Sequence, residues 1–291
     1  MKLPLRTADL DGPVKYLDFG GKGPPMVLVH GLGGSSVNWL AVGSALARDH
    51  HVYALDLPGF GRTPPADEPP TMRSFRRTVA RFIDEIAGGP SVLVGNSMGG
   101  MVSLAVAARR PKLVSRLVLV SPALPRAPEG THDPRVFLTF VLYMVPGAGE
   151  LYLRRRKAKL TPEQESDEIL QLCTVDIRRI PPEVLEAHHE LARERRSMPW
   201  ANDTFLGAAR SLTRRILFPR KARKWLQSVR APTLLVHGAR DRLVPVASSR
   251  EACRIRSDFR LEVLDDVGHV PQMEAPDRFL AIVRPFTKAG A

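Results

Sequence analysis

Ser91-Val92-Leu93-Val94 leads through Gly95-Asn96-Ser97-Met98-Gly99 into Gly100-Met101-Val102-Ser103-Leu104-Ala105, which reads as a strand, a sharp turn and a helix with a serine at the corner. A strand that passes directly into a helix is the building unit of parallel α/β sheets, so this stretch alone narrows the fold class. The glycines at 95 and 99 are what such a corner demands. They predict that the neighbouring strand and helix leave no room for a Cβ on either side, and that Ser97 takes an unfavourable backbone geometry. Its hydroxyl is then pushed out at the top edge of the sheet.

The rest of the chain continues the alternation. Strand-like runs at 14–19, 26–30, 52–56, 92–94, 117–120, 233–237 and 261–264 are mostly continuous leucine and β-branched stretches, as in strands covered on both faces. Helical patterns at 36–47, 71–87, 98–109, 246–256 and 275–286 fit helices packed on that sheet. The tight segment Gly20-Gly21-Lys22-Gly23-Pro24-Pro25 is too short for a crossover helix and predicts an antiparallel hairpin between the first two runs. One stretch breaks the order. From 126 to 230, 105 residues carry no convincing strand, and a structureless loop of that size is implausible. Thr161-Pro162-Glu163-Gln164 opens one helix there with a capping box, and Phe205, Ala209, Leu212 and Ile216 share a face of another. Residues 1–125 and 231–291 are thus expected to form the α/β core, with 126–230 a helical cap over the carboxyl edge of the sheet, deciding which substrates enter.

A chain of 291 residues with 44% hydrophobic and 25% charged residues is of ordinary globular composition, and no apolar stretch approaches bilayer-spanning length. The first ten residues lack an apolar signal core and a cleavage site, so a cytoplasmic location is expected. Cys173 and Cys253 lie in apolar helical contexts and read as buried thiols rather than a disulfide or a metal site. The net charge of +13 raises the question of an acidic partner, but with 6% aromatic residues and no recognition motif, nucleic acid is not expected. Charge gathers in 126–230, with 20 Lys and Arg against 13 Asp and Glu. The apolar run 136–145 precedes Arg154-Arg155-Arg156-Lys157, a pattern that permits contact with a membrane surface. The length fits better a cap helix buried over an apolar pocket with solvated arginines behind it.

A nucleophilic serine needs a base, and the base an orienting acid. Of the eight histidines, His50 and His51 enter a strand, His132, His188 and His189 lie in the expected cap, and His30 and His237 end strands. That leaves His269, in the Gly/Pro-bounded loop after the last strand. Asp241, in the turn after the preceding strand, is the expected acid, although an Asp there also suits an Asx-turn. Asp265 and Asp266 sit too close in sequence to reach behind the imidazole, and Glu129 and Asp133 are a rival position after the strand at 117–120. Gly31-Leu32-Gly33-Gly34 follows a strand at the same edge, and the backbone N–H groups of Leu32 and Met98 are the natural oxyanion pair. Gly31, Gly33 and Ser36 followed by Asp56 nearly form a dinucleotide fingerprint, but its third glycine is missing. No cofactor or metal is called for.

With these residues in hand, the chain resembles the α/β-hydrolase fold superfamily along essentially its whole length. The resemblance rests on His30-Gly31-Leu32-Gly33-Gly34, Asp56-Leu57-Pro58-Gly59-Phe60-Gly61, the nucleophile elbow Gly95 to Gly100, His237 to Asp241, and Gly268-His269-Val270-Pro271, and on the order Ser97, Asp241, His269. It implies an eight-stranded, mostly parallel sheet with helices on both faces and an inserted helical cap. It also implies that His30 supports the oxyanion loop and that Asp56 fixes a loop. Serine at 97 sets the chain apart from haloalkane dehalogenases and epoxide hydrolases, which use an aspartate. The elbow is similar to that of the meta-cleavage-product hydrolases, yet Val270 stands where they have tryptophan, which moves weight to capped carboxylesterases and lipases. The expected function is a cofactor-free serine hydrolase acting on a largely apolar small-molecule carboxylic ester. The alternatives are a carbon–carbon bond hydrolase and a ligand receptor that keeps the fold without turnover.

Overall fold

The computed structural model describes residues 4–125, 127, 129 and 133–288. The expected cap boundary at Arg126 and the histidine at His132 lie outside the described residues. Eight strands form one sheet in the order β1-β2-β4-β3-β5-β6-β7-β8. They are β1 (Leu5–Asp9), β2 (Pro13–Gly20), β3 (Pro25–Val29), β4 (His51–Leu55), β5 (Ser91–Asn96), β6 (Val114–Val120), β7 (Thr233–Gly238) and β8 (Arg260–Leu264). From β4 to β8 every pairing is parallel, whereas β2 runs antiparallel to both β1 and β4.

The hairpin is therefore β1–β2, not the pair joined by residues 20–25. β4 slots between β2 and β3. Burial explains this outcome: Met26 to Val29 of β3 are fully buried, so that strand needs a hydrogen-bonded neighbour on each side, and β4 and β5 supply them. The connecting segment crosses the start of β4, where His51 N–H bonds to the carbonyls of Gly23 and Pro24. A Cβ at Gly21, whose φ is +101°, would collide with the His50 carbonyl, so only glycine passes there.

Side chains of the parallel strands alternate between two core layers. Val27, Leu93, Leu117 and Leu235 enter one, with Phe75 of α2 (Met72–Arg81), Val102 of α3 (Met98–Arg109) and Ala252 of α10 (Ala247–Ile255). Leu28, Val94, Val118 and Val236 enter the other, with Val42 of α1 (Leu40–Leu46) and Phe279 of α12 (Pro276–Lys288). Between β6 and β7 run α4 (Pro134–Met144), α5 (Ala148–Lys159), α6 (Pro162–Cys173), α7 (Pro182–Arg196), α8 (Ala201–Leu217) and α9 (Arg220–Ser228). Thr161 caps α6 with Pro162 in the first turn and Gln164 closing the box. Ala222 and Leu226 of α9 lie in the core layer of α3, so this helix packs with the sheet.

The apolar run in α4 is not buried as its length suggested. Val136 and Tyr143 face inward, while Phe137, Leu138, Val141 and the following Val145 remain exposed.

The C-terminal helix is pinned to the turn before β4 by Arg284 and Lys288, each 2.8 Å from the carboxylate of Asp49. The Arg284 hydrogen bond, seconded by Lys288, outweighs burial and lowers the Asp49 carboxyl to about 2. A folded-state pKa below the unfolded one contributes stability that is present above pH 4 and is lost as the pH falls towards 2. Asp49→Asn should therefore flatten the decline in urea stability over that window and lower stability at neutral pH; identical pH profiles for the two proteins would contradict the link.

Candidate active site

The carboxyl ends of β3, β5, β7 and β8 converge on one edge, and each contributes a loop to the site. After β5, Ser97 adopts φ 55° and ψ −117° immediately before α3. A non-glycine residue holds that conformation only when its surroundings enforce it. They do so by close approach. A Cβ on Gly95 would fall on the Gly99 carbonyl, and one on Gly99 would fall on the carbonyls of Val29 and His30. The Ser97 N–H donates to Val120 O at 2.9 Å, and its carbonyl accepts from Ala123 N–H at 3.0 Å. Ser97 is partly exposed, and its hydroxyl has no hydrogen-bond partner among the described residues.

Asp241 and His269 are in direct contact, with Nδ1 of the imidazole 2.7 Å from Asp241 Oδ2. The other carboxylate oxygen accepts from Leu243 N–H at 2.8 Å and Val244 N–H at 2.9 Å. Oδ1 thus builds the Asx-turn while Oδ2 faces the imidazole. Burial pushes the Asp241 carboxyl up, but the attraction of a protonated His269 ring and hydrogen bonds from His237 and His269 outweigh it. The group is held well below the usual carboxylate range. An ionised carboxylate only accepts, so Nδ1 of His269 carries the proton and Nε2 is left with a lone pair.

His237 is a second imidazole on this carboxylate, 3.2 Å from Oδ2 through Nε2. The same nitrogen lies 2.9 Å from Val244 O, which can only accept, so Nε2 bears the hydrogen, and Nδ1 accepts from Ser249 Oγ at 2.7 Å. It reads as an end-of-strand residue in sequence; only the packing of the turn against α10 shows that it braces Asp241.

Two further residues join the loops. Asn96 Nδ2 donates to Val120 O and to His269 O, both at 3.1 Å, tying the residue beside Ser97 to the backbone of the histidine. Glu274, in the short α11 (Pro271–Glu274), is buried, and its carboxylate receives Gly268 N–H at 2.7 Å, Val175 N–H at 2.7 Å and Asp176 N–H at 3.1 Å. His269 N–H donates to Cys173 O at 2.7 Å. The end of α6 is thus fastened to the histidine loop. No spacing or motif marks Glu274 in a single sequence, because its partners are backbone amides, two of them 98 and 99 residues away.

The Gly31 to Gly34 loop is equally constrained. His30 Nδ1–H donates to Gly31 O at 2.7 Å and its Nε2 accepts from Leu57 N–H at 3.0 Å, which sets the neutral tautomer; burial pushes its pKa down to about 4. Asp56 accepts from Ser36 N–H at 2.6 Å and Arg62 N–H at 2.9 Å. With its carboxylate buried and so engaged, Asp56 cannot grip a ribose as the dinucleotide reading requires. A methyl group at Gly31 would stand 3.0 Å from Ser97 Cβ, so the Gly31-Leu32 backbone runs directly against the serine. The Leu32 amide has no hydrogen-bond partner among the described residues, and the Met98 amide opens α3, where the helix leaves it unsatisfied.

The rival acids point elsewhere. Asp266 pairs with Arg179 and Arg278, Asp265 is exposed, Glu129 pairs with Arg254, and Asp133 caps α4. Both cysteines are free; burial pushes the Cys173 thiol up to about 12, with the charge of Asp241 adding to it. From the inter-strand segment, Arg195 of α7 donates to Gly33 O at 2.8 Å and the Phe205 ring of α8 lies over the same glycine. Because three amides converge on Glu274, Glu274→Ala leaves buried donors unpaired and should cost at least about 2 kcal/mol in urea unfolding. A loss below about 0.5 kcal/mol, the usual scale for surface changes, would show that water takes over its role.

Residues 24–276 match the family described as the α/β hydrolase fold. The chain is 29% identical over 272 residues to the dihydrolipoyllysine-residue acetyltransferase component of the acetoin cleaving system of Pseudomonas putida, covering 91% of this chain but only 64% of that protein. It is 28% identical over 283 residues to a 2-hydroxy-6-oxo-2,4-heptadienoate hydrolase from a strain of P. putida, covering 92% of this chain and 91% of the relative. It is 31% identical over 256 residues to the pimeloyl-[acyl-carrier protein] methyl ester esterase of Aromatoleum aromaticum, covering 87% of this chain and 94% of the relative. Sheet order, loop placement and the extent of the match agree, and the chain belongs to the α/β hydrolase fold family.

Proposed function

We propose that the chain is a serine hydrolase that cleaves a carboxylic ester with a substantial apolar acyl or alcohol part through an acyl-enzyme on Ser97. The observation that carries this reading is the 2.7 Å bond between His269 Nδ1 and Asp241 Oδ2 in a loop that Asn96 ties to the elbow. With Nδ1 committed to the aspartate, Nε2 is the atom that takes the Ser97 proton as Oγ attacks the ester carbonyl. The imidazolium formed is stabilised by Asp241 and returns the proton to the departing alcohol. Water then repeats the sequence on the acyl-enzyme and releases the acid. The Leu32 and Met98 amides receive the oxyanion, each donor worth about 3 kcal/mol in the transition state. Arg195 and Phe205 at Gly33 support a role for the inter-strand helices in selecting the substrate. The likeness to a methyl ester esterase supports the ester.

A second reading, hydrolysis of a carbon–carbon bond in a ring-fission product, draws on one feature besides the elbow sequence. The Arg195 guanidinium beside the oxyanion loop could pair with the carboxylate of such a product, and one relative is named for a dienoate. A panel of nitrophenyl esters tested beside a ring-fission product separates the two: activity on esters alone eliminates the second.

Ser97→Ala should abolish ester turnover and labelling by a fluorophosphonate. Asp241→Asn should lower kcat on the order of 10⁴-fold, because the amide no longer selects the imidazole tautomer. Undiminished hydrolysis by the serine variant would sink the assignment, and a wild-type protein inert to the fluorophosphonate would favour a non-catalytic receptor.

A further inference from the structure

On α4, Phe137, Leu138 and Val141 are 56%, 68% and 42% exposed, and Val145 just beyond is 48% exposed. Their spacing places them along one side of the helix, opposite the inward-facing Val136 and Tyr143. At the end of α8, Leu217 and Phe218 are 59% and 72% exposed. The two helices pack side by side: Arg210 of α8 donates to Tyr143 O at 2.8 Å, and the Tyr143 and Phe205 rings meet at 5.3 Å. Large apolar side chains left in water in this number mark a surface made for contact.

Cations accompany each of these groups at helical spacing. Arg135 precedes Leu138 by three residues, and Arg214 precedes Leu217 and Phe218 by three and four, so each cation shares the face of its apolar neighbour. On α5, Arg154 and Arg155 follow the exposed Leu151 by three and four. All four arginines are exposed, and none forms an ion pair among the described residues. The contrast lies next door: Arg156 pairs with Glu168, and Arg210 pairs with Glu150. Arginines that hold this region together are neutralised, and those beside the exposed apolar residues are not.

We propose that this face docks on an anionic lipid surface, with Phe137, Leu138, Val141 and Phe218 entering the boundary between headgroups and acyl chains and the four arginines meeting lipid phosphates. A second copy of the chain is the poorer occupant, since a two-fold contact would press these unpaired cations against each other, whereas a negative lipid plane neutralises all of them. The face lies on the bilayer and does not cross it. Eleven residues of α4 rise about 16 Å, roughly half of a hydrocarbon core, and α5 departs at a bend of 116°.

Sedimentation with mixed phosphatidylcholine and phosphatidylglycerol vesicles, against phosphatidylcholine alone, tests this. Wild-type protein should pellet with the mixed vesicles. Phe137→Ser combined with Leu138→Ser should weaken partitioning at least about tenfold, and Phe218→Ser serves as an independent apolar variant. Arg135→Glu combined with Arg214→Glu should weaken it about tenfold or more. The same charge change at the opposite edge of the sheet, Lys22→Glu with Arg48→Glu, should leave it within about twofold, because those residues precede β3 and β4 at the amino ends of the parallel strands and lie outside this face. Failure of the wild type to pellet overturns the proposal. So does binding that both apolar variants leave unchanged, or that the distant charge pair reduces as strongly. A wild-type dimer that the Phe137 and Leu138 changes split, without vesicle binding, would assign the face to a second copy instead.

Discussion

The whole arrangement depends on how closely α3 approaches the carboxyl ends of β3 and β5. The absence of side chains at Gly95 and Gly99 lets helix backbone rest on strand backbone, with the carbonyls of Val29 and His30 where a Cβ of residue 99 would stand. That proximity forces Ser97 into φ 55°, and the fully buried β5 beneath it supplies the packing that sustains the strain. It also brings the Gly31-Leu32 backbone against the serine. The strained Ser97 and the position of the Gly31-Leu32 backbone are therefore consequences of a single contact, and widening it by one methyl group would disturb both.

Around that contact, three buried carboxylates organise the loops. Asp56, Asp241 and Glu274 each accept two or more backbone N–H groups, satisfying donors that irregular segments cannot pair among themselves. Charged acceptors suit this task because one carboxylate can take several amides, and hydrogen bonds to a charge are stronger than neutral ones. Only Asp241 also meets imidazoles, and that difference separates a positioning carboxylate from one that can stabilise a forming cation. The three histidines around the site divide in the same way. His30 is neutralised between a carbonyl and an amide, and His237 is spent on Val244 O and Ser249, whereas His269 keeps an Nε2 with no such partner.

Much of this is visible in one sequence, for reasons that also explain what is not. Strands buried on both faces must be continuous apolar runs, so β3 to β7 announce themselves, as does α3 through its small residues. β1 does not: Leu5, Arg6, Thr7 and Asp9 are exposed on an edge strand, and burial leaves no period to read. The Asp11-Gly12 pair in its turn, with φ of 61° and 120°, was the available signal for a hairpin there. The pairing of β2 with β4 depends on which neighbours satisfy β3, a competition that no local window contains. That Asp241 and His269 would meet was legible, because both stand in turns that follow adjacent parallel strands. Glu274 takes two of its three amides from residues nearly 100 positions away, and His237 reaches Asp241, Val244 and Ser249 only through the fold of its own turn onto α10, so both surface only when the loops are in place.

The inter-strand helices grip the site at two points with different character. Near the histidine loop the hold is made of three hydrogen bonds: Cys173 O, Val175 N–H and Asp176 N–H are locked to His269 and the buried Glu274. At the Gly31 to Gly34 loop it consists of one guanidinium on Gly33 O and one ring edge, beside the partly exposed Arg62–Glu194 pair. Contacts of the second kind are weaker and more readily exchanged with water. Any opening of this layer is therefore expected to pivot about the end of α6 and to separate α7 and α8 from the Gly31 to Gly34 turn. Such a motion would expose Ser97 while leaving the bond between Asp241 and His269 intact.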